Sequence, residues 1–121
     1  MMRSLLLPFL AMLAEPAAAP VTVRLSSFDF SPATIRLRAG QPVVLRLVNS
    51  GKGGHNFAAP AFFAAARIDP QSAPLVRRGA VEVGSRRSVE VGLVPSAGRY
   101  RLRCTHLLHS TFGMSGEIVV E

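Results

Sequence analysis

Arg99-Tyr100-Arg101-Leu102-Arg103-Cys104 alternates an arginine with an apolar or thiol side chain three times, and Thr105-His106-Leu107-Leu108-His109-Ser110-Thr111-Phe112-Gly113-Met114 then abandons the alternation. A period of two sends successive side chains to opposite faces of a strand, so the arginines share one face and Tyr100, Leu102 and Cys104 the other. A row of arginines belongs in water. Cys104 therefore points into a core at the last step before a loop, and Ile118-Val119-Val120 supplies the closing strand beyond it.

The same period runs back along the chain. Val21, Val23 and Leu25 alternate with polar neighbours, Ile35 and Leu37 with Arg36 and Arg38, and Val43, Leu45 and Leu47 with Val44 and Arg46. Val81 to Val83, then Val89, Val91 and Leu93, continue the series between Gly, Pro, Ser and Asn breaks. Short half-buried strands of this kind bury their apolar faces against each other, which predicts an all-β fold of two packed sheets. Only Pro60 to Ile68, with Phe62, Phe63 and an alanine run, reads as a short helical segment, placed as cover for the core.

At 121 residues the chain holds one domain. Its first nineteen residues differ in kind: Arg3, an apolar run from Ser4 to Ala14, and the small residues Ala17, Ala18 and Ala19. They read as a secretory signal peptide cut between positions 14 and 19, the apolar run being shorter than the roughly 20 residues that a membrane span needs. The domain then spans 20–121, and the expected location is the periplasm. Fourteen Lys plus Arg against seven Asp plus Glu make the chain basic, favouring acidic partners or an anionic membrane surface. The arginines are scattered singly or in the pairs Arg77-Arg78 and Arg86-Arg87, without interleaved stacking aromatics, which argues against nucleic acid.

An exported protein normally pairs its cysteines, yet Cys104 is alone. Its neighbours supply a reason. Cys104, His109 and Met114 are separated by four residues each, and His55 lies upstream in His55-Asn56-Phe57. A thiolate, two imidazoles and a thioether form the donor set that holds one copper ion with a weak axial sulfur. Zinc would accept the thiolate and imidazoles but has little use for methionine. Met114 also has a bland reading as core filler, and Cys104 as an inert buried thiol.

These residues resemble the cupredoxins, the small blue copper proteins. Phe28-Asp29-Phe30-Ser31-Pro32-Ala33-Thr34-Ile35 and Ala39-Gly40-Gln41-Pro42-Val43 are similar to the family's first strands, His55-Asn56-Phe57 to its upstream ligand segment, and Cys104-x4-His109-x4-Met114-x-Gly116 to its ligand loop. The resemblance implies a Greek-key β-sandwich, a copper ion cycling between Cu(I) and Cu(II), and transfer of one electron to and from redox proteins, such as a cytochrome or a copper enzyme, by a monomer. It also implies a hydrogen bond between Asn56 and Thr105, which follow the upstream histidine and the cysteine. It makes Leu107, Leu108 and Phe112 an apolar docking patch around the His109 edge. The same three residues read equally well as core.

His106 departs from the pattern, because Cys104-Thr105-His106 offers a second imidazole for one coordination place. It lies very close in the chain to Cys104 for both to bind one copper in a relaxed geometry, so His109 is taken as ligand and His106 as a supporting or surface group. A copper chaperone or buffer would use the same donors. An enzyme is not expected: Arg103 precedes Cys104 where multicopper oxidases place a histidine, and three histidines in the chain are too few for a second copper.

Overall fold

The alternating runs become strands wherever one side can face water and the other a partner sheet. The computed structural model describes residues 18–106 and 113–121. One sheet contains β1 (Ala19–Ser26), β2 (Asp29–Ser31), β4 (Val43–Asn49), β6 (Arg67–Ile68) and β8 (Arg87–Val94), in the order β2-β1-β4-β8-β6. The other contains β3 (Thr34–Leu37), β5 (His55–Ala58), β7 (Ala80–Val83), β9 (Gly98–Arg103) and β10 (Ser115–Val120), in the order β3-β10-β9-β5-β7. This is the expected Greek-key β-sandwich.

Register places the core. In the first sheet, Val23 stands opposite Leu47 and Leu47 opposite Val89, while Leu45 stands between Val21 and Val91. In the second, Ile118 lies between Ile35 and Tyr100, and Phe57 faces Val81. Directly opposed residues share a face, so these rows meet between the sheets as one apolar layer. Phe57 anchors β5 there, with its ring edge-on to Phe30 and to Phe63, both at 6.0 Å between centroids. Truncating so fully buried a ring costs about 3–5 kcal/mol.

Three elements differ from the sequence reading. The helical segment, α1, covers only Pro60–Ala65, because Ala66 turns extended and Arg67–Ile68 pairs with Val94 and Leu93 as an edge strand instead. A 3-10 turn at Ala73–Leu75 was not anticipated either. The segment at His55, which the alternation did not mark, is itself a strand. All four of its residues are buried, so no polar face marks it in the sequence. Of the expected signal peptide, residues 1–17 lie outside the described residues.

Candidate metal centre

Two ladders decide what meets at the end of the sandwich. Ala58 pairs with Arg103 across the antiparallel β5–β9 contact. Carried on by one place and then another, that register sets Cys104 opposite Phe57 and Thr105 opposite Asn56. On the other side Arg103 pairs with Ser115, so the next step sets Cys104 opposite Met114. The Cys104 N–H indeed donates to the Met114 carbonyl at 3.0 Å. Opposed positions share a face, and Cys104 and Met114 are both fully buried.

His55 stands two residues before Phe57, on the same side of β5, and is only 1% exposed. Between them, Asn56 directs its backbone N–H at the Cys104 sulfur, 3.5 Å away. Its side chain points to the outer face and bonds Thr105 twice: Nδ2 donates to Thr105 Oγ1 at 2.7 Å, and Oδ1 accepts from the Thr105 N–H at 2.8 Å. Residues that follow two of the expected ligands are thus hooked together. A donor set held in this way keeps its orientation independently of a bound ion.

His106 sits elsewhere. Its ring Nε2 lies 2.9 Å from Glu82 Oε2, on the partly exposed outer face. Glu82 was not singled out in the sequence. It is an ordinary outward residue of β7, and its importance follows from a register that sets it opposite Asn56. Its other oxygen, Oε1, accepts from Asn56 Nδ2 at 3.2 Å.

Of the expected site, then, the structure brings together the segments carrying His55, Cys104 and Met114, with Asn56 and Thr105 tied beside them. His109 and the expected docking residues Leu107, Leu108 and Phe112 lie outside the described residues. Among the described residues no three His, Cys, Asp or Glu side chains converge as a metal cluster, so the described donors are one imidazole, one thiol and one thioether. Soft sulfur beside imidazole is the chemistry of a copper or zinc site, and the thioether tips it toward copper. The donors fit the ion.

Comparison with known proteins agrees with this architecture. Auracyanin B superposes with a TM-score of 0.61 at 22% identity, covering 90% of this chain and 93% of that one. Auracyanin A, described as a "blue" copper protein of Chloroflexus aurantiacus, gives 0.58 at 22% identity over 84% and 99% of the two chains. Sodium-dithionite-reduced auracyanin from Roseiflexus castenholzii gives 0.61 at 17% identity over 88% and 99%. At these identities the likeness concerns the fold. No curated protein matches the chain. Residues 3–120 match the model of the cupredoxin-like domain, and the chain belongs to that family.

Proposed function

We propose that this protein carries one electron at a time on a single copper ion, held by His55, Cys104, His109 and, more weakly, Met114. The carrying observation is the burial of His55, Cys104 and Met114 at one end of a sandwich whose strand register, rather than a free loop, aims them. Copper bound there supplies a one-electron couple between Cu(I) and Cu(II). The chain's own part is to hold the donors in nearly the same positions for both states, which keeps the reorganisation on electron transfer small. The Asn56 N–H facing the sulfur and the Asn56–Thr105 pair serve that purpose.

Burial of the thiol and of His55 favours retention of the ion over its hand-off, which places a carrier ahead of a chaperone or buffer. The chain works as an exported monomer in the periplasm. Among the described residues no helix is long and apolar enough to cross a membrane. Its partners are redox proteins with acidic faces. Leu107, Leu108 and Phe112 serve as the docking residues for them, and the exposed arginines steer the approach.

The test is the visible spectrum of the copper-loaded protein. An intense thiolate-to-copper band is expected, lost in Cys104→Ser and in His109→Ala and kept in His106→Ala. A band that survives His109→Ala and disappears in His106→Ala overturns the ligand assignment. Absence of any such band from the wild-type protein overturns the function.

A further inference from the structure

Resting on that reading of the site, we infer that Glu82 is a positioning residue that braces the Asn56 amide and holds His106 on the outer face, away from the coordination place. The observation is a carboxylate with both oxygens engaged. Oε1 accepts from Asn56 Nδ2 at 3.2 Å, and Oε2 meets His106 Nε2 at 2.9 Å. A carboxylate only accepts hydrogen bonds, so Asn56 must turn its nitrogen toward Glu82. The amide's remaining N–H then goes to Thr105 Oγ1, and its oxygen is left facing the Thr105 N–H. Glu82 thereby reinforces the orientation that the Thr105 N–H also demands of the Asn56 amide.

The second contact acts on the competing ligand. His106 is two residues beyond Cys104, and its ring lies against Gly54, whose added Cβ would stand 3.6 Å from the ring's Cε1. It sits beside the start of β5, and the Glu82 contact draws its Nε2 to the outer face. One side chain on β7 thus fastens β5 and the start of the ligand loop together. Glu82 itself is largely exposed, at 69%, so its replacement leaves the core intact and the variants should fold.

Two readouts test this. In the metal-free protein, Glu82→Ala is expected to speed hydrogen exchange at the Thr105 N–H by about three- to tenfold, the loss expected for a charge-assisted hydrogen bond at a solvent-exposed carboxylate. Glu82→Gln keeps an oxygen for the Asn56 amide and should return exchange to near the wild-type rate. In the copper-loaded protein, Glu82→Ala should change the visible band as His106 enters the coordination place. The double variant Glu82→Ala/His106→Ala should restore the band while leaving Thr105 exchange fast. Unchanged exchange in Glu82→Ala, or identical spectra for the single and double variants, overturns the proposal. Should the wild-type chain show no thiolate–copper band, the site reading falls, while the exchange arm still upholds or overturns the tie.

Discussion

Replacing Asn56 by alanine tests whether the link between β5 and the ligand loop is energetic or ornamental. The side chain is buried, and alanine deletes two bonds to Thr105, at 2.7 and 2.8 Å, together with the longer one to Glu82 at 3.2 Å. Each of the first two is worth about 1 kcal/mol net. The third faces an exposed carboxylate and adds less than about 1 kcal/mol. Thr105 is itself exposed, so its freed N–H reaches water and adds no large desolvation penalty. The expected loss is about 2 kcal/mol, a factor of about 30 in the folding equilibrium and roughly 8–16 °C in Tm for a domain of this size. Urea unfolding of the metal-free protein followed by circular dichroism reads it as a midpoint lowered by about 1 M. Thr105→Val removes only the Oγ1 acceptor and should cost about 1 kcal/mol. Because both substitutions break the same bond, the double variant should fall short of the sum by about 1 kcal/mol. A loss below about 0.5 kcal/mol for Asn56→Ala, or strict additivity in the cycle, refutes the reasoning.

Met114→Leu conserves volume in a buried position, so it should cost less than about 1.5 kcal/mol; voltammetry should show a higher potential, since losing the thioether donor penalises Cu(II) more than Cu(I), with the visible band retained. Gly79 has φ +73°, and an added Cβ would lie 2.5 Å from Pro60 Cα, whereas Gly40 has φ +76° with nothing within 4 Å. Gly40→Ala should therefore cost about 1–2 kcal/mol for the left-handed backbone alone, and Gly79→Ala measurably more in the same denaturation assay. Electron exchange with a small anionic redox reagent should slow as salt rises from about 0.01 to 0.1 M, and exchange with a cationic reagent should quicken, as screening shortens the Debye length from about 30 to 10 Å. Equal salt responses for the two reagents would remove the steering role given to the arginines.

The strands that were legible in the sequence are those with one wet face. Arg99, Arg101 and Arg103 declare the outer side of β9, and that alone suffices to send Leu102 and Cys104 inward, where both are buried. β5 is illegible for the opposite reason. The core covers one of its sides, Thr105 and Glu82 close over Asn56 on the other, and the alternation disappears. β6 was absorbed into the helix reading because two residues carry no period, and only the ladder to Val94 and Leu93 makes them a strand. Glu82 was invisible because its role depends on which residue stands across from it. Local sequence reports the medium on each side of a strand, while cross-strand register is settled by distant segments.

That distinction bears on how the proposed site keeps its shape. His55 and Asn56 belong to β5 and Cys104 directly follows β9, so their relative placement is inherited from the Ala58–Arg103 pairing and the Phe57 anchor beneath it. Met114 is fixed from the other side, by its carbonyl accepting the Cys104 N–H just before β10 begins. Three of the four expected donors therefore sit in or directly beside paired strands. A ligand set built in that way resists the change in preferred geometry that accompanies a change of copper oxidation state, because moving a donor would mean breaking sheet hydrogen bonds and repacking a phenylalanine core. The rigidity that the proposed electron transfer requires is thus a by-product of the same alternation that makes the chain fold as a sandwich.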